Sequence, residues 1–392
     1  MHLPSIEERS LVHLGGSDYE MGLQQGQKFQ GFLQYLADWI WKTDMVSRHV
    51  PKILPKRLLL AIAKRFSRSK VESLLRKHCP NQLEYLRGIS DGGNVDIRVL
   101  YILIYAEGFF SKKRYAIGSS GPDLGCTSIA VAPGKTGNLG FVIGKNFDYN
   151  LEFQPLLLGR YLDYEDGSKI IGHGGVGQAG TFHGMNNSGL IVSYDYAHPT
   201  DTNLSGIPSS VLVQKSLQEC RTVDEVVYLF RNTPRAGGSL ILAADNTTKK
   251  AVVLECSGTQ LAVRWMDPEK NYIAVTNHYI TDQMRKIDLP KNAVYDKSAE
   301  PYRQGRLISE SSRIRYHDAL SELKSKKCFE IEDVAEILRH HHDGIKDYRS
   351  ICCHDLPSHG TNMWAIFSPA NGSMYSAIGQ PCESKLKKYE FN

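Results

Sequence analysis

Apolar residues change their spacing along the chain near residue 125. Before that point they recur roughly every three or four positions, as in amphipathic helices. After it, short apolar runs alternate with helical stretches, which predicts an α+β layered domain. The predicted N-terminal helices are Tyr19–Trp41, Lys56–His78, Asn81–Gly88 and Ile97–Phe110. The predicted strands are Leu139–Ile143, Lys169–Gly172, Leu190–Tyr194, Ser239–Ala243, Lys250–Glu255 and Leu261–Trp265. The later predicted helices are Ser209–Gln218, Val223–Asn232, Arg313–Leu323 and Ile331–His340.

The same change of pattern divides the chain into two predicted parts. Residues 1–125 form a helical segment, and residues 126–392 form the unit that would carry the chemistry. The glycine-rich stretch Gly118–Gly125 joins them and is the one part of the sequence that looks flexible. With 392 residues, of which 41% are hydrophobic, the chain has enough apolar material for one large domain or two.

The net charge of +5 is too small to indicate nucleic-acid binding, but the basic residues are unevenly spread. Between Pro51 and His78 nine Lys or Arg residues accompany a single acid, Glu72. The predicted basic helix in this stretch could face an anionic partner such as coenzyme A, an acidic carrier protein or a membrane surface. It could equally be the solvated face of a packed helix.

The sequence shows no sign of membrane insertion or export. Met1–Arg9 lacks the basic and apolar regions of a signal peptide. No apolar run approaches the roughly 20 residues that a spanning helix needs. We therefore expect a cytoplasmic protein.

Eight cysteines are scattered without a short repeating spacing, so we expect reduced thiols rather than a zinc knuckle or a disulfide framework. Two other motifs also have ordinary explanations. His340–Asp343 resembles a metal tract, but a cationic cap at the end of a helix accounts for it. Gly172–Gly177 is rich in glycine without the following helix of a dinucleotide site, so a loop is expected. We predict no metal and no cofactor.

Cys126 follows Gly125 at the start of an apolar strand, and this arrangement suggests a cysteine that works after a cut before it. A free thiol is only a few per cent ionised at neutral pH and needs a base nearby to attack an acyl group. Cleavage of the Gly125–Cys126 bond would create an α-amino group, with an ordinary pKa of about 7.7–8.0, beside its own sulfur. The alternative is a buried cysteine with no chemistry.

Three later segments supply polar groups suited to such a site. Asp148 ends the second strand of the hairpin that Cys126 begins, where a carboxylate would orient the amine or thiol. Asn277 follows another apolar run and offers a side-chain amide to an oxyanion. Ser311–Arg313 opens an amphipathic helix.

In this order the motifs resemble the isopenicillin-N acyltransferase family of autoproteolytic N-terminal nucleophile hydrolases, relatives of choloylglycine hydrolase. The resemblance runs from Gly15–Gly22 to Gly379–Cys382. It implies a four-layer αββα sandwich, with a segment ahead of the cysteine that is cut off and stays as the smaller subunit of an α/β heterodimer.

The resemblance also implies roles for single residues. It makes Cys126 the autoproteolytic and catalytic nucleophile, Asp148 the aspartate of an Asn-aromatic-Asp motif, and Asn277 the oxyanion asparagine. Ser312 and Arg313 correspond to the family's Ser-Arg pair.

Two positions depart from the family pattern. Lys145, just before Asn146, stands where bile-salt hydrolases carry arginine and the penicillin acyltransferase carries glutamine, so the substrate is not transferable from either. Asp195 replaces an asparagine of the acyltransferase branch, which removes an amide donor. Asp195 would bind a cationic amine of the substrate or lie at a solvated strand end.

The sequence thus predicts an enzyme that cleaves itself and then hydrolyses an amide or transfers an acyl group, from an amide or thioester, through acyl-Cys126. Hydrolysis and transfer are not distinguished, because the nucleophile is the same for both. Two alternatives stay open. One is a papain-like pairing of the cysteine with His183, His198 or His278. The other is an unprocessed or non-catalytic binding protein with the same fold.

Overall fold

The structure is a computed structural model that describes residues 3–42, 70–105, 125–203, 205–297 and 299–392. Its strands are β1 (Val12–Gly15), β2 (Gly125–Val131), β3 (Val142–Asn150), β4 (Leu157–Asp163), β5 (Lys169–Gly175), β6 (Thr181–Asn186), β7 (Leu190–Tyr196), β8 (Ser239–Asp245), β9 (Lys250–Cys256), β10 (Leu261–Trp265), β11 (Tyr272–Val275), β12 (His359–Ser368), β13 (Ser373–Ile378) and β14 (Lys387–Glu390).

The α-helices are α1 (Ile6–Ser10), α2 (Asp18–Lys28), α3 (Gln30–Leu33), α4 (Leu36–Lys42), α5 (Pro80–Gly93), α6 (Pro133–Thr136), α7 (Ser209–Glu219), α8 (Val223–Asn232), α9 (Asp282–Arg285), α10 (Glu310–Ser325) and α11 (Ile331–Arg339). Residues 70–78 and 97–105 are also helical. Short 3₁₀ turns are Gly137–Leu139, Leu151–Leu156, His342–Gly344 and Pro369–Asn371. Within these residues no helix is long and apolar enough to cross a bilayer.

The strands form two sheets that pack face to face. One has eight strands in the order β1-β4-β5-β6-β7-β8-β9-β10, and the other has six in the order β11-β2-β3-β12-β13-β14. Apart from the parallel pair β1–β4, neighbouring strands run antiparallel. Alternation of side chains along each strand then gives both sheets an inner and an outer face.

Three apolar cores separate the layers. Between the sheets, Ile143 of the six-stranded sheet meets Met185 and Ile191 of the eight-stranded sheet. The outer face of the larger sheet is covered by helices that include α2, α5, α7 and α8. The outer face of the smaller sheet is covered by α10 and α11. The order helix, sheet, sheet, helix confirms the expected α+β class and the four-layer αββα sandwich.

The described part of the segment before Cys126, residues 3–42 and 70–105, packs into this sandwich. β1 pairs in parallel with β4, which adds an edge strand to the larger sheet. Helices α2 and α5 pack in very close contact: a Cβ on Gly22 would lie 2.1 Å from the backbone oxygen of Tyr85, so only glycine fits there. The sequence predicted an all-helical segment and missed β1, because four residues are too few for a periodic signal.

The positions of the predicted strands and helices agree with the structure better than their first and last residues do. The strand Leu261–Trp265 and the helix Val223–Asn232 are confirmed at both ends. The strand expected at Leu139–Ile143 begins later and runs on as Val142–Asn150, because α6 and a 3₁₀ turn occupy the connection. Most of the basic stretch 51–78, and the joining stretch Gly118–Gly125 except its last residue, lie outside the described residues.

Candidate active site

The antiparallel pair β2–β3 places the predicted residues on two faces. Cys126 is opposite Phe147 and Gly125 is opposite Asp148 in the strand register. The Cys126 side chain points between the two sheets. Asp148 points toward the outer helices, where it meets Arg315. The thiol and the carboxylate therefore lie on opposite sides of the same strand pair.

The Cys126 thiol lies in an apolar enclosure. Its side chain packs with Phe147, Leu157 and Met363, and Phe182 packs at the edge of this cluster. Cys126 is 3% exposed. Burial raises the pKa of the thiol to about 12, with Asp195 and Asp148 acting in the same direction and Lys145 opposing them. In the uncut chain the thiol is therefore protonated at neutral pH.

The backbone of Cys126 is held by two polar side chains. Its N–H donates to Asn277 Oδ1 at 2.9 Å, and its carbonyl oxygen accepts from Arg315 Nη1. Arg315 Nη2 donates to the same Asn277 oxygen at 2.8 Å, and Nη1 also donates to Thr127 Oγ1 at 2.8 Å. A guanidinium has no acceptor, so it fixes the Asn277 oxygen, rather than the amide nitrogen, toward Cys126.

Asn277 is itself fixed by two further hydrogen bonds. Its Nδ2 donates to the backbone oxygen of Tyr196 at 2.9 Å. Its backbone N–H donates to Ser312 Oγ at 2.7 Å. Ser312 in turn donates to Thr276 Oγ1 at 3.0 Å, so the predicted Ser312 ties the end of β11 to α10. Ser312 is thus placed to position Asn277 and does not bond to the backbone of Cys126.

Asp148 lies beside Gly125, the residue before the proposed cut. Its Oδ1 accepts from Thr361 Oγ1 at 2.6 Å, and its Oδ2 is 3.8 Å from Arg315 Nη1. Oδ2 is buried and has no hydrogen-bond partner. A Cβ on Gly125 would lie 3.2 Å from that oxygen. Burial raises the pKa of Asp148, while Arg315 and the Thr361 hydroxyl oppose the shift.

Lys145 and Asp195 form a closed ion pair on the inner face. Their charged atoms are 2.9 Å apart, and both side chains are fully buried. Lys145 Nζ also donates to the backbone oxygen of Tyr194, and Asp195 Oδ2 accepts from Ser128 Oγ at 2.5 Å. The alternative of a solvated strand-end acid is wrong, since Asp195 is buried in the sandwich. The ion pair is closed off from solvent, and it links β3 of the hairpin to β7 of the larger sheet near Cys126.

Asn146 also has a supporting position. Its Nδ2 donates to the backbone oxygens of Leu338 and Ile351, which fastens β3 to α11 and the loop beyond it. It makes no hydrogen bond to Cys126 or Asn277.

The structure brings Arg315, and not Arg313, to Cys126. Arg313 is exposed and donates to Ser309 Oγ at 3.2 Å. Residues three apart on a helix share a face, so Arg315 lies beside Ser312 whereas Arg313 points away. The sequence followed the adjacent Ser-Arg pair and missed Arg315. Helical spacing from Ser312 is the signal that could have found it.

The histidines do not complete a cysteine–histidine pair. His278 Nδ1 contacts Ser312 Oγ at 2.7 Å, and burial with nearby Arg313 and Arg315 lowers its pKa to about 3. His183 is fully buried, and burial also lowers its pKa. Across the described ranges, no hydrogen bond joins Cys126 Sγ to a histidine, so the papain-like alternative lacks its geometry.

A cleft of about 740 Å³, a volume that includes open solvent at its mouth, reaches Gly125 from the outer side. Its walls include the neutral and apolar residues His278, Leu289, Tyr295, Ile308 and Tyr348. Three carboxylates and three guanidiniums also line it, namely Asp148, Asp288 and Asp355 with Arg303, Arg306 and Arg315. The charges balance, so the cleft selects neither anions nor cations by net charge.

A family model described as "Acyl-coenzyme A:6-aminopenicillanic acid acyl-transferase" matches residues 134–383, more than half of the chain. The match begins downstream of Cys126 and includes Asp148, Asn277 and Arg315. An uncharacterised protein of Archaeoglobus fulgidus is 24% identical over 311 residues, covering 70% of this chain and 51% of the relative. The chain thus spans about half the length of that curated relative.

Several solved structures resemble the chain at low identity. A mutant of the conjugated bile acid hydrolase of Clostridium perfringens is 12% identical, with a TM-score of 0.43, over 68% of this chain and 97% of the other. The N-acylethanolamine-hydrolysing acid amidase ortholog of Caenorhabditis elegans is 15% identical, with a TM-score of 0.43, over 68% and 100%. Penicillin V acylase of Agrobacterium tumefaciens is 12% identical, with a TM-score of 0.44, over 68% and 86%.

Proposed function

This chain belongs to the acyl-coenzyme A:6-aminopenicillanic acid acyl-transferase family, and from that membership we propose that it cuts itself before Cys126 and then transfers or hydrolyses an acyl group on the freed cysteine. The observation that carries the proposal is the pair of hydrogen bonds to the Cys126 backbone. Asn277 accepts from the nitrogen that a cut would release, and Arg315 holds the adjacent carbonyl.

Self-cleavage begins with attack of Cys126 Sγ on the carbonyl carbon of Gly125. The C–N bond breaks, a thioester forms between Gly125 and the sulfur, and the thiol proton passes to the departing nitrogen. Water then hydrolyses the thioester, which leaves a carboxylate on Gly125 and a free thiol and amine on Cys126. Asp148, unpartnered at Oδ2 and beside Gly125, is the acid or base placed to assist.

After the cut, the new amine takes the thiol proton and activates Cys126 for a second acyl group. Asn277 Oδ1 would accept from this amine and aim its lone pair, in the place where it now accepts from the peptide N–H. Arg315 disfavours the ammonium form by like charge, and Asp148 favours it. Asn277 Nδ2 carries a second hydrogen besides the one it donates to Tyr196, and the role predicted for Asn277 requires that this hydrogen reach the oxyanion.

The surroundings of the thiol favour an apolar acyl group. Phe147, Leu157, Met363 and Phe182 would contact the carbons next to an acyl group on Cys126. The donor would be a carboxamide or a thioester, including an acyl-coenzyme A or acyl carrier. Whether water or an amine reaches the acyl-Cys126 would decide between hydrolysis and transfer.

Intact mass under denaturing conditions tests the proposal. The wild-type chain should separate into residues 1–125 and 126–392, and the Cys126→Ala variant should stay whole. Cys328→Ser is the matched control, because Cys328 is exposed and far from the hairpin in sequence. Under native conditions the pieces should stay together, since β1 pairs with β4. An active wild-type enzyme with an intact Gly125–Cys126 bond would refute self-cleavage. Processing without turnover of any acyl amide or thioester would leave a binding protein.

A further inference from the structure

Two histidines and two cysteines cluster beside the smaller sheet, away from Cys126 in sequence. The side chains of His341, Cys352, His354 and Cys382 bring one possible ligand atom each to a common point, and these four atoms all lie within 4.8 Å of one another. Cys352 and His354 are buried, and the other two are partly buried. We propose that this cluster is a structural zinc site.

Contacts of His354 Nε2 are hard to explain without a metal. This atom is 3.3 Å from His341 Nε2, 3.4 Å from Cys352 Sγ and 3.4 Å from Cys382 Sγ. A ring nitrogen carries either one hydrogen or one lone pair, so it satisfies at most one of the three neighbours well. Three neighbours around one nitrogen are expected when all four atoms point at the same ion.

The three separations measured from His354 Nε2 fit tetrahedral coordination, and the other pairs of ligand atoms lie within 4.8 Å of each other. With Zn–N bonds of about 2.0–2.1 Å and Zn–S bonds of about 2.3 Å, neighbouring ligand atoms in a tetrahedron lie roughly 3.3–3.8 Å apart. The three contacts of His354 Nε2 fall within that range. Two nitrogens and two sulfurs in this geometry favour zinc over magnesium or calcium, which prefer oxygen ligands. Four protein ligands leave no open position, which indicates a structural and not a catalytic ion.

Three separate segments supply the ligands. His341 follows α11, Cys352 and His354 lie in the loop before β12, and Cys382 lies in the turn after β13. These spacings match no familiar zinc motif, which explains why the sequence suggested reduced thiols and a helix cap. The neighbouring His342 points elsewhere, with its Nδ1 2.8 Å from Asp318 Oδ2.

The ion would fasten one wall of the cleft. Cys353 and Asp355, which lie beside the ligands Cys352 and His354, line the cleft. The Cys353 N–H donates to Thr361 Oγ1 at 3.0 Å, and that hydroxyl donates to Asp148 at 2.6 Å. Fixing the Cys352–His354 segment therefore also fixes the hydroxyl that holds Asp148.

Metal analysis of purified full-length protein tests the site. Wild type grown with zinc should contain about one zinc per chain. His341→Gln and Cys382→Ser should lose most of it. The matched controls His342→Gln and Cys328→Ser should keep it, and so should Cys126→Ala, which separates this proposal from the self-cleavage proposal. A wild type with only trace zinc, or equal zinc in all variants, would overturn the site.

Two further measurements identify the ligands. Replacement of zinc by Co²⁺ should give a thiolate charge-transfer band and the visible bands of a tetrahedral ion, and their absence would refute the ligand set. Chelation should lower the thermal midpoint of the wild type by several degrees and leave His341→Gln unchanged. A Cys352–Cys382 disulfide, detected as a mass loss of two hydrogens, would also overturn the proposal.

Discussion

The two faces of the β2–β3 strand pair carry charged residues in different environments. On the inner face, Lys145 and Asp195 are fully buried and neutralise each other. On the outer face, Asp148 and Arg315 are 3.8 Å apart at the end of an open cleft. One oxygen of each carboxylate lacks a hydrogen bond, but Asp195 Oδ1 lies 2.9 Å from the Lys145 ammonium, whereas Asp148 Oδ2 has no cation that close among the described residues. Cys126 lies between them, with its side chain toward the inner face and its backbone bonded to outer-face residues.

This difference separates support from chemistry. A buried pair whose charges are mutually satisfied holds two sheets together but has nothing left for a substrate. A buried carboxylate oxygen that lacks a hydrogen bond costs stability in the folded chain, and such groups are concentrated at functional sites. The Lys145–Asp195 pair on the inner face therefore supports the hairpin beneath the thiol, whereas Asp148 on the outer face is free to take part in the chemistry.

The largest expected effect is the loss of stability when the ion pair on the inner face is broken. Lys145→Met leaves the Asp195 carboxylate buried without a counter-ion, which should cost about 3–5 kcal/mol of the free energy of unfolding. The double variant Lys145→Met/Asp195→Leu removes both charges and should recover most of that loss. Urea denaturation in the Cys126→Ala background measures it, because an uncut chain unfolds without dissociating into pieces.

A double variant as unstable as Lys145→Met alone would mean that the loss is one of packing and not of charge. The ion pair on the inner face would then not be what supports the hairpin. Ser128→Ala, which removes a hydrogen bond to Asp195 and keeps the pair, is the control and should cost less, about 1.5–3 kcal/mol.

The sequence predicted the elements that carry the site better than the contacts between its side chains. The layered fold, the hairpin and the position of Cys126 follow from apolar periodicity and motif order, which are local properties. The partners of Lys145 and Asn277 do not, because they depend on register between strands far apart in sequence. Asp195 is distant from Lys145 along the chain, and only the packing of β7 under β3 makes the two an ion pair. The four-ligand cluster around His354 was missed for the same reason.

The next effect distinguishes two arginines of one helix. Arg315→Gln removes the guanidinium that holds the Cys126 carbonyl and the Asn277 oxygen, and should slow self-cleavage by about 100-fold. Arg313→Gln changes an exposed side chain and should alter the rate by less than about threefold. Time courses of intact mass after synthesis measure both rates. Equal slowing by the two variants would transfer the outer-face role back to the motif residue Arg313.

The smallest effect is a shift in pH dependence, which reads the charges around the new amine. The amine acts as a base only when neutral, so turnover should fall about tenfold per pH unit below its pKa and level off above roughly 7.7–8.0. Arg315 lowers that pKa and Asp148 raises it, whereas the effects of Lys145 and Asp195, which are also near Cys126, largely cancel.

Arg315→Gln should therefore move the rising limb of turnover to higher pH, and Asp148→Asn should move it to lower pH, each by up to about one unit. Arg315→Lys keeps the charge and should leave the limb in place. If the thiol of the uncut chain were the titrating group, turnover would instead keep rising toward its pKa of about 12, and that result would remove the amine from the mechanism.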